Sequence, residues 1–404
     1  MHALFKTYFI IISNKAKSMF SNFTFKNPVK VIFGKGSIAS VPKNIPLGKK
    51  IMLTYGGGSI FKNDVHKQVI EALEGYEIVE FGGIEANPTY ETLMAGVAVA
   101  RIEKVDYLLS VGGGSVLDGT KFMAAAIPFE GGDEWNNIVL GKARFKNALP
   151  IGAVMTLPAT GSEMNYFAVI SKKETDEKIG LGNPLLYPQF SILDPETTFS
   201  LPKRQVANGI ADAFTHVMEQ YMTYPAGGEI QDRFCEGVLQ TLISVGVKTI
   251  DNPSDYEARS NMMWAATVAL NGWISVGMPQ DWATHNIGHE LTALHGIDHA
   301  RSLAVVLPYL MRYKSVEKKG KLIQYAQRVW NLSGSEEELI EGAIQKTVDF
   351  YQSLGIPTKG SEYGIGEATI KEISKRFKER GGAYGEHGDI DHNAAAEILR
   401  MSVA

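Results

Sequence analysis

The chain has a single cysteine, Cys235, in 404 residues. No disulfide can form within it, so packing and polar contacts alone must hold the fold. That usage suits a reducing compartment, and a cytoplasmic protein is the expectation. Cys235 itself reads as a small buried hydrophobe rather than a nucleophile. Long apolar runs are missing too, since no stretch approaches the ~18 residues that a membrane helix needs. The nearest is Tyr8-Phe-Ile-Ile-Ile12, flanked by Lys6, Lys15 and Lys17 where a cleavable signal would carry small residues. Residues 1–18 therefore read as an extension ahead of the first domain, with a degenerate secretory signal as the second reading. An excess of one charge is also absent. The net charge is −4, which leaves no basic footprint for nucleic acid or an anionic membrane. What remains is 45% apolar and 21% charged, a globular composition with length enough for two domains.

Histidine is scarce but concentrated. Four of the nine, His285, His289, His295 and His299, fall in fifteen consecutive residues, where even scatter would put roughly a third of one. Metal binding is the commonest chemical cause of such clustering. Upstream lies a second cluster, Ala211-Asp-Ala-Phe-Thr-His216. Asp212 and His216 are four apart, so on a helix their Cβ atoms project from one face about 5–6 Å apart. Both clusters sit among apolar residues, and polar groups on core-like helices need partners. One carboxylate with several imidazoles suits a borderline divalent ion such as zinc, iron(II), cobalt or nickel. His289-Glu290 is followed by Leu-Thr-Ala, so the His-Glu-x-x-His of a metalloprotease is absent.

In the first half, strand-like and helix-like stretches alternate. Strands are expected at 29–34, 50–55, 78–81, 105–111, 151–157, 167–171 and 190–194, with a helix opening at Pro88 and an insertion loop at 131–148. Two strands run into Gly-Gly-Gly-Ser turns, at Gly56–Ser59 and Gly112–Ser115. Strand, glycine turn and helix in repetition predict an α/β doubly wound parallel sheet over residues 19–200. From 201 to 404 helical periodicity dominates, and nine helices are expected from about Arg204 to residue 402. The architecture is thus a dinucleotide-type domain followed by an all-α domain. Glycine turns at strand ends expose backbone amides at helix N-termini, a cradle for phosphate. The turn Tyr55-Gly-Gly-Gly-Ser-Ile60 carries no acid, offers the Ser59 hydroxyl and has Lys62 behind it. An acid there would bind the ribose 2′-hydroxyl of NAD and repel a 2′-phosphate, so NADP(H) is expected. A nucleotide with a carboxylate–imidazole metal site suggests hydride transfer to a metal-polarised carbonyl.

On Val111-Gly-Gly-Gly-Ser-Val-Leu-Asp-Gly-Thr120, Thr156-Leu-Pro-Ala-Thr-Gly-Ser-Glu163, Ala207-Asn-Gly-Ile-Ala-Asp-Ala-Phe-Thr-His216 and the segment His285 to His299, the chain from Met19 onward resembles the iron-containing (group III) alcohol dehydrogenase family. Tyr55-Gly-Gly-Gly-Ser59 and Pro279-Gln-Asp-Trp-Ala-Thr-His285 resemble its NADPH-dependent butanol dehydrogenase and broad-specificity aldehyde reductase branch. The resemblance implies a homodimer acting on small aldehydes and alcohols. It implies one divalent ion, zinc or iron(II), on Asp212, His216, His285 and His299. Spacing alone does not choose His299 over His295 or His289. His289 is then a catalytic candidate for proton relay beside the cofactor ribose and water, and His295 is structural. The resemblance further implies that Gly113, Gly114 and Ser115 hold the pyrophosphate and that Asp118 lies near the nicotinamide. Thr156, Thr160, Ser162, Asn165 and Lys178 match positions lining the cofactor, and Gly57, Gly58 and Ser59 match the 2′-phosphate pocket. Residues 1–18, Met164 and Tyr166 depart from the pattern. Trp135, Trp264, Trp273 and Met278 are candidate walls for an apolar substrate.

The rival reading is a lyase of the dehydroquinate synthase type, on a related fold with NAD and a metal. It must grip a phosphorylated, carboxylated substrate, yet residues 261–299 contain no lysine or arginine. A metal-storage protein would leave both glycine turns unexplained.

Overall fold

The computed structural model describes residues 20–404; the extension expected at residues 1–18 lies outside them. The described strands are β1 (Lys30–Phe33), β2 (Lys50–Tyr55), β3 (Glu77–Phe81), β4 (Tyr107–Gly113), β5 (Ile151–Leu157), β6 (Phe167–Lys172), β7 (Glu177–Gly182) and β8 (Phe190–Leu193). Six of them form one sheet in the order β1-β8-β5-β4-β2-β3. The pairs β1–β8, β5–β8, β2–β4 and β2–β3 run parallel. Central β4 and β5 are continuous apolar runs buried on both faces, as strands covered by helices on either side must be. Edge strands β1 and β3 leave residues at the surface. Helices α1 (Val65–Ala72), α2 (Tyr90–Ile102) and α3 (Gly114–Ala126) make the crossovers. In the register of β2 with β4, Tyr55 lies opposite Val111. The two glycine turns therefore leave neighbouring strands side by side, at the carboxyl ends where such sheets bind ligands.

Three local expectations change. The stretch 167–171 does not extend the parallel sheet; as β6 it pairs antiparallel with β7 in a separate ribbon. β7, Glu-Lys-Ile-Gly-Leu-Gly, is half-exposed and carries two glycines, so it lacks the apolar alternation that marks a strand. Pro88 does not open α2. Thr89 caps that helix, its hydroxyl accepting from the Thr92 amide at 3.5 Å. The loop 131–148 holds a π-helical turn, Trp135–Val139.

The chain divides into two compact units. Pro28–Thr156 and Ser162–Thr197 make the α/β unit, while Phe20–Asn27 and Leu157–Gly161 group with Thr198–Ala404. The latter holds the nine expected helices: α4 (Lys203–Tyr221), α5 (Glu229–Asp251), α6 (Tyr256–Ala269), α7 (Ala283–His295), α8 (His299–Tyr313), α9 (Lys319–Arg328), α10 (Glu336–Ser353), α11 (Glu367–Arg380) and α12 (His392–Val403). α4 is its spine, with every residue from Val206 to Tyr221 buried. Phe214 on α4 packs among Leu239, Leu307 and Tyr351, and each such buried side chain stabilises by about 1.5–3 kcal/mol. A second core joins α7, α8, α11 and α12 through Ile287, Val305, Phe377 and Leu399.

Candidate active site

A helix as buried as α4 has no solvent for its polar side chains. Those of Asp212, His216 and Glu219 must therefore meet partners from neighbouring helices. Asp298, just before α8, accepts from Arg204 Nε at 2.7 Å and from Asn208 Nδ2 at 2.8 Å, both on α4. This clasp sets His299, the first residue of α8, against Asp212. Asp212, His285 and His299 each present a ligand atom, all within 4.8 Å of one another. His299 Nε2 lies 3.7 Å and His216 Nε2 3.8 Å from Asp212 Oδ1. The His216 ring stacks on His285 with centroids 4.7 Å apart.

These residues fit a metal. Asp212 Oδ1 is buried without a hydrogen-bond partner among the described residues, an arrangement that costs free energy unless a cation fills it. An ion bound tetrahedrally at about 2.0–2.1 Å needs ligand atoms about 3.3 Å apart, a few tenths of an ångström inside the spacings around Asp212. Burial holds the His216 imidazole down to about 4, so it is neutral at physiological pH, as a ligand must be. His289, one turn along α7 from His285, keeps its ring 5.1 Å from that of His299. His295 sits at the far end of α7, where Nε2 meets Thr369 Oγ1 at 2.8 Å.

Two side chains at this centre escaped sequence reasoning. Glu219 accepts from the Thr284 amide at 2.6 Å and the His285 amide at 3.3 Å, and its Oε2 bonds His285 Nδ1. Burial, aided by the charge of Asp281, raises the pKa of its carboxyl. Trp282 supplies the indole nearest the imidazoles, 5.2 Å from the His285 ring and 6.2 Å from that of His216. Its φ of +64° is uncommon for a bulky residue and marks a constrained position. The other candidate walls sit elsewhere: Trp135 packs on Tyr90, Trp273 on Phe25 and Phe234, and Trp264 is exposed on α6.

In the α/β unit, Gly113 precedes α3 and Gly114 is its first residue, so the amides of Gly114 and Ser115 head a thirteen-residue helix. Gly112 is obligatory, because a Cβ there would lie 2.6 Å from Val116 Cγ2. Gly58 has φ +90°, which glycine alone adopts readily, and it leads into Ser59. Lys178 Nζ donates to Asn87 Oδ1 at 2.9 Å, and the Asn87 amide to Ser115 Oγ at 3.4 Å. Asp118 accepts from Ser162 Oγ at 2.7 Å and the Val169 amide at 3.0 Å. Fully buried Lys121, also unforeseen, donates to Ser162 O at 2.8 Å, Ser162 Oγ at 2.7 Å, Asn165 Oδ1 at 3.1 Å and Phe167 O at 2.8 Å. It thus fixes the turn that carries Ser162 and Asn165. Thr156, next to last in β5, is buried, and Thr160 lies in the segment grouped with the helical unit.

The description "Iron-containing alcohol dehydrogenase" matches residues 28–195. "Fe-containing alcohol dehydrogenase family, C-terminal" matches residues 206–403. The NADPH-dependent aldehyde reductase YqhD of Escherichia coli is 51% identical over 385 residues, 95% of this chain and 100% of the relative. The probable NADH-dependent butanol dehydrogenase 1 of Bacillus subtilis is 41% identical, over 95% and 100%. The crystal structure of Escherichia coli YqhD matches with a TM-score of 0.93 at 50% identity, covering 96% of this chain and all of the other. That of NADH-dependent butanol dehydrogenase A from Thermotoga maritima matches at 0.91 and 37%, with 96% and 100% covered.

Proposed function

The chain belongs to the iron-containing alcohol dehydrogenase family, and on that premise we propose that it reduces aldehydes to primary alcohols with NADPH, reversibly. Aldehyde, NADPH and a proton give alcohol and NADP⁺. The observation that carries this is the buried carboxylate and imidazole set on α4, α7 and α8, in a chain that also holds paired glycine turns. Asp212, His216, His285 and His299 would hold one divalent ion, zinc or iron(II). Of the two, zinc is favoured by the affinity order. When bound, the ion supplies Lewis acidity that polarises the carbonyl.

The protein's own groups prepare the rest. The amides of Gly114 and Ser115, with Gly113 keeping the approach clear, receive the pyrophosphate. Gly57, Gly58, Ser59 and Lys62 favour the 2′-phosphate of NADPH, with no carboxylate in that turn to repel it. Asp118 and the Lys121-braced turn with Ser162 and Asn165 shape the nicotinamide end, which Thr156, Thr160 and Lys178 also line. His289 hands a proton toward the product oxygen; its half-exposed ring beside His299 supports that role. The indole of Trp282 shields the imidazoles from water. The lyase alternative would need a cationic grip on its substrate that residues 261–299 do not offer.

No described helix is long and apolar enough to cross a membrane. A single cysteine, which permits no intrachain disulfide, supports a reducing compartment, the cytoplasm, as the site of action. It acts as a homodimer, as its resemblance to the reductase branch implies, and light scattering after gel filtration measures that directly. The test of function follows NADPH oxidation with butanal and methylglyoxal, using enzyme as isolated, chelated, and restored with zinc or iron(II), and NADH in parallel. Metal-dependent turnover that prefers NADPH is expected. No oxidation of either nucleotide under any metal would overturn the reading.

A further inference from the structure

Glu219 sits on α4, three residues beyond His216, and is 2% exposed. Among the described residues its carboxylate bonds the first turn of α7: Oε1 accepts from the Thr284 amide, and Oε2 from the His285 amide and His285 Nδ1. Capping alone does not call for a charge here, because a neutral Ser, Thr or Asn satisfies helix amides as well as a carboxylate. No lysine or arginine bonds Glu219 among the described residues, and its ring partner His285 is a cation only when doubly protonated. Buried Lys318 spends its donors on the Met222 carbonyl at 2.7 Å, Asp281 at 2.6 Å and Glu386 at 3.0 Å. A buried carboxylate with no lysine or arginine beside it is costly to keep ionised, so its retention needs a reason.

We propose that Glu219 is the positioning carboxylate of the metal centre, holding the proton on His285 Nδ1 so that Nε2 is the ligating nitrogen. The proposal rests on the metal reading above. A carboxylate can only accept, so a proton must sit on Nδ1 when Glu219 is ionised, and the imidazole is left with its lone pair on Nε2. That partner fixes the tautomer and ring orientation and makes the ligand more basic. The two amide bonds fix the carboxylate itself relative to the backbone of α7. One helix, α4, therefore supplies two candidate ligands and the group that aims a third from a helix 66 residues away. A cation bound at the centre would also supply counter-charge to Glu219.

The experiment is metal affinity of Glu219→Gln by competition with a chromophoric chelator, alongside the melting temperature of the metal-free protein. Glutamine keeps one acceptor oxygen for the α7 amides but removes the charge and the second acceptor. We expect affinity to fall about 10–100-fold, a loss larger than any accompanying change in metal-free stability accounts for. In a His285→Ala background the same change should add little, because its effect passes through that ring. Native affinity in Glu219→Gln would overturn the proposal. So would an equal loss in both backgrounds, which would mean long-range charge rather than positioning. Should the variant fail to fold, the native protein still decides. Its zinc-loaded form, labelled with ¹⁵N-histidine, should show His285 protonated at Nδ1 and ligated at Nε2, and the reverse tautomer would overturn the proposal. A native protein that binds no divalent metal would overturn the metal reading itself, and this proposal with it.

Discussion

Gly209→Ala sets two physical effects against each other inside α4. Gly209 lies inside α4, three residues before Asp212. By helix propensity alone, alanine should stabilise the protein by up to about 1 kcal/mol. The surroundings say otherwise. A Cβ at this position would meet the Pro158 carbonyl oxygen at 2.5 Å and Met262 Cε at 3.1 Å. A relaxed C···O approach is about 3.3 Å, so helix and loop must part by roughly 0.8 Å. The methionine can swing aside, but the carbonyl is backbone and cannot. Overpacking of this kind costs at the upper end of about 1–3 kcal/mol, and the propensity gain returns only part of it, leaving a net loss of about 1–2 kcal/mol. A shift of that size at Asp212 would also loosen the proposed ligand set, and an error near 1 Å can lower turnover about 10²-fold. Urea unfolding of the metal-free protein reads the first effect, and metal affinity with turnover reads the second. A variant about 1 kcal/mol more stable than native, with unaltered metal binding, would refute the reasoning.

Other outcomes follow from the α/β unit. Ser59→Asp puts a negative charge in the proposed 2′-phosphate pocket and should lower kcat/KM for NADPH at least about tenfold while sparing NADH; an equal effect on both cofactors would count against the pocket. Lys121→Met strands the acceptors around a fully buried ammonium and should cost about 3–5 kcal/mol at neutral pH, read by urea unfolding. Burial holds the Lys121 pKa down to about 8 from an ordinary 10.5. Between those values the unfolded chain keeps a proton that the folded one has shed, so native stability relative to the Met variant should rise with pH through that window. A flat difference would mean that Lys121 titrates normally.

The reach of the sequence depended on how far apart the interacting residues lie. The nine helices were legible because each repeats its apolar face over several turns, although the one expected to run to residue 275 ends at Ala269. β7 was not, since it pairs only with β6 and buries little. The histidine cluster and the Asp212–His216 spacing announced a metal, but spacing could not rank His299 above His295. The choice turns on the Asp298 clasp to Asn208 and Arg204, ninety or more residues apart in the chain. Glu219 and Lys121 were invisible for the same reason. Each is a lone charge on a helix, reading locally as a surface residue, and its meaning comes from distant partners. A sequence cue for Glu219 does exist: it falls one turn past His216, on a stretch otherwise too apolar to face water.

The central claim is that this imidazole and carboxylate set holds the ion that makes reduction possible. The most direct test is NADPH-dependent aldehyde turnover of His285→Ala, measured together with its metal content and NADPH affinity. The account predicts loss of metal and of turnover, with the fold and NADPH binding retained. Unchanged turnover in that variant would contradict it.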